Sequence, residues 1–425
     1  MSLGSYWHLV RENRNFRRLW LAQIVSEMGD WFYILALYSL LLQFTGKAQS
    51  VGLALVLQVL PSTLAGPTAG VVNDRIRRKY VMIAADLARM VIVLGMTLVR
   101  SAQMVWLVYP LLFLETVVFG FFEPARSAVL PNLVGEEHLV TANTVSSITW
   151  SFNFAVSSAL GGFVAVLLGR DAVFVLNALS FLCSALLIGG MQFHEPHAAD
   201  TPPFHLRELV DFSPVAEGVR YIRRDARLLA TVLLKGGIGI MGANWVIFPI
   251  MGERVFPVRF GGIDAARGAV LGMSLLMGAR GVGALIGPLS ATKWAGRRSS
   301  RMRAGILIGF VCGGSGYLLL SKAPALALAC LCVALAHGGA SIVWVFSTTL
   351  LQRDSDDKFR GRLFAADPGF LMLTIAVSGY IAGVAIDHGI AVRTVALCTG
   401  AAMVAPALAW LWAMPLWRDA EDTSG

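Results

Sequence analysis

Long apolar runs, each close to the length that crosses a bilayer, alternate along this chain with short polar stretches. The runs fall at roughly 18–43, 50–71, 80–100, 104–122, 140–168, 172–193, 227–250, 267–290, 303–321, 324–349, 363–386 and 390–415. A spanning helix needs about 20 predominantly apolar residues, so the pattern predicts an all-α membrane protein with twelve transmembrane helices. Together the runs take up most of the 425 residues and leave no room for a sizeable soluble domain.

Composition agrees. Hydrophobic residues make up 56 % of the chain and charged residues only 14 %, against about 25 % charged in soluble domains. The net charge of +9 would suit a nucleic-acid partner, but its distribution argues otherwise. Twenty-four of the 35 Lys and Arg fall at the two termini and in one alternate set of loops, and three lie inside spans. That bias follows the positive-inside rule, predicts both termini in the cytoplasm of a cell with an inner membrane, and excludes nucleic acid as the expected partner. The first apolar run directly follows Arg17 and Arg18 and is too long for a cleavable signal, so it is expected to remain as a helix. All five cysteines lie in apolar runs, which suggests neither a disulfide framework nor a zinc site. No nucleotide-binding loop and no nucleophile-base set appear, so the reading is neither an enzyme nor an ATP-driven pump, and no cofactor is expected.

Between Phe193 and Arg227 the chain turns polar and proline-bearing, then places Phe212, Val215, Val219 and Ile222 at helical spacing among charges. This predicts a linker at 194–226 ending in a surface-lying amphipathic helix, between six-helix bundles at 1–193 and 227–425. A weak repeat relates the bundles: Gly66-Pro67 recurs as Gly287-Pro288, and Leu130 with Glu136-Glu137 recurs as Leu350 with Asp356-Asp357. Paired six-helix halves are one arrangement of secondary transporters, with substrate held between them near the midplane.

Charges inside apolar runs are the candidate chemistry. A charge at bilayer depth costs from about 3 to more than 10 kcal/mol and marks functional positions. Arg280 stands in the middle of the run from Ala269 to Ser290. It stays charged at any working pH, so it needs an anionic partner. Two remain open: the carboxylate of Asp30 or Glu115, or an anionic group of the substrate. Asp30 is the leading proton-site candidate, because burial favours the protonated form of a carboxylate; Glu27, three residues earlier, could raise the proton affinity of the pair. Glu115 is a further proton candidate. Asp86 and Arg89, three apart, are expected to pair locally. Lys235 is expected to snorkel to the membrane surface, and His337, beside Gly338-Gly339, to be a packing residue. Aromatic and amide positions suit an amphipathic organic ligand, with Tyr33, Trp150, Asn153, Asn244 and Trp344 as binding candidates beside Arg280. Trp410, Trp412 and Trp417 read as an interfacial belt.

The loop Gly70-Val-Val-Asn-Asp74-Arg75-Ile-Arg77-Arg78-Lys79 resembles the helix 2/3 motif of the major facilitator superfamily at Gly70, Asp74, Arg75, Arg78 and Lys79, and departs from it at Arg77. Phe122-Glu123-Pro124-Ala125-Arg126 through Pro131, with Ala142-Asn143 and Gly29-Asp30, is similar to the drug/proton antiporter branch that includes macrolide and siderophore exporters. Lysophospholipid transporters share much of this pattern. The helix 4 arginine motif of other drug exporters is missing, with Val117 three residues before Gly120, and the helix 5 motif is reduced to Ala159-Leu160-Gly161-Gly162. The resemblance implies alternating access, with helix 1 lining the cavity and gating by Gly70, Asp74, Arg75 and Arg78. Glu123 and Arg126 are expected to form an ion pair beside that gate, while Lys79 is expected only to set topology. The expected protein is a monomeric inner-membrane exporter of an amphipathic drug or siderophore-like metabolite, coupled to proton entry and surrounded by lipid. A lysophospholipid flippase and a transport-inactive scaffold or sensor are the alternatives.

Overall fold

The computed structural model describes residues 3–135, 138–195, 213–259, 264–296, 298–355 and 357–417. The repeat positions Glu136, Glu137 and Asp356 and the linker stretch 196–212 lie outside the described residues. The described residues are almost entirely helical, and twelve helical segments are long and apolar enough to cross a membrane. The chain is therefore an all-α, multi-pass membrane protein. Large apolar side chains stay exposed along these segments, among them Trp412 at 85 %, as expected of lipid-facing surface.

The chain divides into two compact units, Met1–Gly46 with Leu57–Asp211, and Lys47–Val56 with Phe212–Gly425. In the first unit a short helix α1 (Leu3–Glu12) precedes the spanning helices α2 (Arg14–Thr45), α3 (Ala48–Arg75), α4 (Arg78–Gly95), α5 (Val108–Val134), α6 (Leu139–Leu168) and α7 (Arg170–Gly189). Asn13 starts α2 by accepting from the Phe16 N–H at 2.9 Å, and its own amide donates to the Leu133 carbonyl at 2.7 Å. Gly46, at φ 64°, ends α2 in the left-handed conformation that favours glycine. Helix α2 packs on α6 and α7, and α4 packs on α5 and α7. Gly29 permits the α2–α7 approach, because a Cβ there would fall 2.3 Å from Ser180 Oγ and 2.4 Å from Asn177 Oδ1.

Three cationic or amide side chains close one end of this bundle. Lys79 Nζ donates to the Met191 carbonyl at 2.6 Å, Arg18 to the Gly190 carbonyl, and Asn15 to the Gln192 carbonyl at 2.6 Å. These carbonyls directly follow the last residue of α7, and the C-terminal end of a helix attracts cations. Lys79 thus has a structural job beyond the topological one expected of it. These bonds also place the starts of α2 and α4 and the end of α7 at one end of the unit.

The second unit holds α8 (Ser213–Ile222), α9 (Ala226–Gly239), α10 (Asn244–Arg254), α11 (Ala265–Ala295), α12 (Ser299–Lys322), α13 (Leu326–Asp354), α14 (Asp357–Asp387), α15 (Val392–Ala402) and α16 (Val404–Ala413). A 3-10 turn at Ile240–Ala243 joins α9 to α10 within a single span. Helix α13 packs on α11 and α12 through small residues. A Cβ on Gly287 would lie 2.3 Å from the Gly338 carbonyl oxygen, and one on Gly339 would lie 2.3 Å from that of Gly309. Small-residue seams of this kind let helices touch backbone to backbone in lipid. The first turns of α3 belong to this unit because Asp387 caps them, accepting from the N–H groups of Ala48 and Gln49 at 2.8 Å each. Of the residues expected on the apolar face of α8, Ile222 is buried and Val219 is 44 % exposed.

A candidate charge-relay site in the first unit

Arg89, 3 % exposed, is the centre of the polar interior. Its Nη2 donates to both carboxylate oxygens of Asp30 at 3.0 Å, and its Nε donates to Glu115 Oε1 at 2.8 Å. Helices α2, α4 and α5 thereby meet at one guanidinium. The ring of Phe181 lies 4.1 Å from its central carbon and that of Phe119 lies 5.1 Å away. Aromatic faces stabilise a desolvated cation by about 2 kcal/mol. Charge-assisted bonds to two carboxylates contribute more per bond than neutral ones. Arg89 can therefore sit in the bundle without water.

The expected local pair of Asp86 with Arg89 does not form. Arg89 instead reaches residues 59 and 26 positions away, because on one helix a carboxylate three residues back cannot offer the guanidinium the two-sided grip that facing helices provide. Asp86 is fully buried, and neither of its oxygens has a hydrogen-bond partner among the described residues. Tyr33, 3 % exposed, has its hydroxyl in the same position, lies near Asp30 and Glu115, and packs on Phe174 at 5.8 Å.

Glu27 belongs to a different network. Gln23 Nε2 donates to it at 2.8 Å and Asn153 Nδ2 at 2.9 Å, and Arg126 reaches Gln23 Oε1 at 3.4 Å. Arg126 also grips Glu123 through Nε at 3.0 Å and Nη2 at 2.5 Å, the ion pair the sequence suggested. Three residues on a helix are rotated by about 60° from alignment, enough to turn Glu27 towards α6 while Asp30 turns towards α4. Glu27 and Asp30, expected on one helical face, thus enter two separate networks. Asn153, 2 % exposed, is occupied in holding Glu27, whereas Trp150 is 47 % exposed and stacks on Phe154 at 5.7 Å.

At the end of the unit, Asp74 lies 3.7 Å from Arg78 with its side chain 77 % exposed. Arg78 also donates to the carbonyls of Ala128 at 2.9 Å and Asn73 at 3.3 Å, and its N–H to Glu195 at 2.9 Å. A Cβ on Gly70 would meet nothing within 4 Å, so packing does not require a glycine there.

In the second unit two cations within the spans lie on aromatic faces. The Arg280 guanidinium carbon is 4.3 Å from the Trp245 ring, and Lys235 Nζ is 4.7 Å from the Trp344 ring. Lys235 is 1 % exposed and does not snorkel. It stands about 14 Å along α9 from its first residue, deeper than its side chain can reach back. Asp30 and Glu115, expected as possible partners of Arg280, are both held by Arg89. Trp344 is 40 % exposed, while Asn244 is 3 % exposed and its amide donates to the Met241 carbonyl across the 3-10 turn. His337 Nε2 and the Tyr317 hydroxyl lie 3.1 Å apart, both buried, beside Phe248.

Sequence reasoning missed Arg89 as a hub, Gln23, and the α7 residues Asn177, Ser180 and Ser184. The i, i+3, i+7 spacing of those three was the available signal, since it puts a polar stripe on one face of an otherwise apolar helix.

Residues 19–367 match the sequence profile of the Major Facilitator Superfamily. Macrolide efflux protein A of Streptococcus pyogenes is 28 % identical over 52 % of this chain and 54 % of its own. The chain thus spans about half the length of some of the curated relatives it matches. A protein of Bacillus amyloliquefaciens assigned as the bacilysin exporter BacE is 25 % identical over 86 % of this chain and 88 % of its own. Among solved structures, the nucleoside transporter NupG superposes with a TM-score of 0.72 at 13 % identity, covering 94 % of this chain and 99 % of that one; the likeness concerns the fold alone.

Proposed function

Since the chain belongs to the major facilitator superfamily and is a membrane transporter rather than an enzyme, we propose that it exports an amphipathic small molecule across the cytoplasmic membrane by alternating access, driven by proton entry. The observation that carries the coupling is the Asp30–Arg89–Glu115 clamp, two carboxylates competing for one guanidinium inside the spans. One proton arriving on Asp30 neutralises a carboxylate and converts an acceptor of Arg89 into a donor. Arg89 then keeps its charged bond only to Glu115, and α2 is freed from α4. A single uptake event thereby changes how three helices are held, which is what coupling requires. The export direction is supported by the relatives named for macrolide efflux and bacilysin export. Substrate is assigned to the aromatic positions Trp245 and Trp344 of the second unit, with Arg280 supplying a fixed positive charge.

The test is transport by purified protein in liposomes, with and without an inward proton gradient. The probes are a fluorescent organic cation, a catecholate siderophore and a lysophospholipid. The expected result is gradient-driven movement of an amphipathic probe in wild type, with Asp30→Asn losing the response to the gradient while still binding the probe. Equal gradient dependence in both proteins removes Asp30 from the coupling. Preference for the lysophospholipid points to a flippase, and movement of none to a scaffold.

A further inference from the structure

Asp86 is the buried carboxyl that the clamp leaves unused. It lies one turn before Arg89 on α4, is fully buried, and has no hydrogen-bond partner for either oxygen among the described residues. An ionised carboxylate in such a place is costly unless a partner or a proton offsets its charge. A neutral carboxyl in turn needs a neighbour that can take or give a hydrogen bond. The groups facing it are Arg89 on its own helix, Asp30 from α2 and the Ser184 hydroxyl from α7. Ser184 is itself fully buried, and its hydroxyl has no hydrogen-bond partner among the described residues.

The same face of α7 reaches Asp30. Asn177 faces the Asp30 carboxylate, and its Nδ2 is buried without a hydrogen-bond partner. Ser180 Oγ donates to the Asn177 carbonyl at 2.7 Å and lies 3.1 Å from its Oδ1. One turn further along comes Ser184, beside Asp86. Gly29, next to Asp30, is the residue that lets α2 come down onto this stripe. Asn177 stands about 18 Å from the last residue of α7 and Ser184 about 8 Å. The stripe therefore descends from Asp30 towards the end of the unit where Lys79 meets Met191.

We propose that Asp86 is the second station of the proton route: it receives the proton from Asp30 along the Asn177–Ser180–Ser184 face of α7 and releases it towards the Lys79 end of the bundle. Asp86 first releases its own proton towards the Lys79 end and is then reloaded from Asp30, so each transfer moves one proton from a carboxyl to a carboxylate and Arg89 regains Asp30 as the proton leaves. This rests on the proton-coupled reading above. Asp86 acts on the proton and not on the substrate.

Reconstituted Asp86→Asn should lose gradient-driven transport by roughly a hundredfold, the size expected for loss of a positioned proton-transfer group. Exchange of labelled for unlabelled substrate, which needs no net proton movement, should stay near the wild-type rate. Infrared spectroscopy supplies a readout that a structural role would not move: the carbonyl stretch of a neutral carboxylic acid at neutral pH should vanish in Asp86→Asn and persist in Asp30→Asn. Ser184→Ala, a smaller change for the fold, should shift that band and slow driven transport several-fold. Wild-type transport indifferent to the gradient would bring down the coupling and the route with it. A gradient-driven wild type alongside an Asp86→Asn that keeps its drive, or keeps the neutral-acid band, would overturn the assignment of Asp86 alone. An unshifted band and unchanged rate in Ser184→Ala would do the same.

Discussion

The two units treat buried positive charge in opposite ways. In the first, Arg89 is clamped by two carboxylates, and a third, Asp86, stands three residues back on its own helix. In the second, Arg280 and Lys235 lie on the faces of Trp245 and Trp344. A carboxylate clamp can be loosened by a single proton, because the partner itself titrates. An indole face cannot, since its attraction for a cation comes from a fixed quadrupole. The proton response we propose therefore belongs to the first unit. The second presents a fixed charge among rings, suited to holding an amphipathic molecule that carries an anionic group.

The difference is broken most forcefully at Arg89. Arg89→Ala leaves Glu115 buried and Asp30 partly buried without their counter-charge, and removing one member of a fully buried pair destabilises by about 3–5 kcal/mol. The expected outcome is a large fall in the unfolding temperature of the detergent-purified protein and no gradient-driven transport. Arg89→Ala with Asp30→Asn and Glu115→Gln together should recover much of the stability and none of the coupling. Wild-type stability in the single variant would show that the carboxylates do not depend on the guanidinium.

An intermediate effect is expected at Arg280. Arg280→Ala should transport poorly, with the lost contact to the Trp245 ring accounting for about 0.5–2 kcal/mol of stability. Arg280→Lys keeps the charge but loses the planar fork and its stacking on Trp245, so only part of the activity should return. Binding competition with matched anionic and neutral compounds measures what the charge does. A selective loss for anionic compounds of roughly tenfold corresponds to about 1.4 kcal/mol. Equal loss for both would assign Arg280 to the internal packing of the second unit.

The twelve spans were legible in the sequence because a bilayer imposes a run length on every helix that crosses it, and no later folding event alters that. The site was legible in its members and not in its pairings. Asp30, Glu115 and Arg89 each stand out as charges in apolar runs, but the bonds joining them cross three helices, and a helical pattern fixes which face a residue occupies without fixing which helix it meets. Asp86 was assigned to Arg89 by sequence proximity, and proximity failed because facing helices offered Arg89 a better grip. Glu27 and Asp30 look like neighbours at a spacing of three, yet the residual rotation sends them to different partners. Lys235 looked able to reach the membrane surface until its depth along α9 was fixed.

The smallest expected effect lies outside the spans, where the contrast between the units should disappear. Asp225 caps α9, accepting from the Arg227 N–H at 2.8 Å and from Arg227 Nη2 at 2.9 Å. Its partial burial by itself raises its proton affinity, but the hydrogen bonds from Arg227 outweigh that and hold the carboxyl below its usual range. A carboxyl depressed on folding contributes stability above its unfolded value, which is about 3.9, and loses that contribution as pH falls through the folded value. Between pH 5 and 8 the contribution should therefore be flat. Asp225→Ala should lower stability by about 1 kcal/mol, the usual size for loss of a helix cap, and Asp225→Asn by less, because asparagine caps as well as aspartate does. Unfolding of the detergent-purified variants across that pH range measures both. A difference between wild type and Asp225→Asn that grows between pH 5 and 8 would mean that Asp225 titrates with groups inside the membrane, and would extend to the second unit the proton response that we assign to the first.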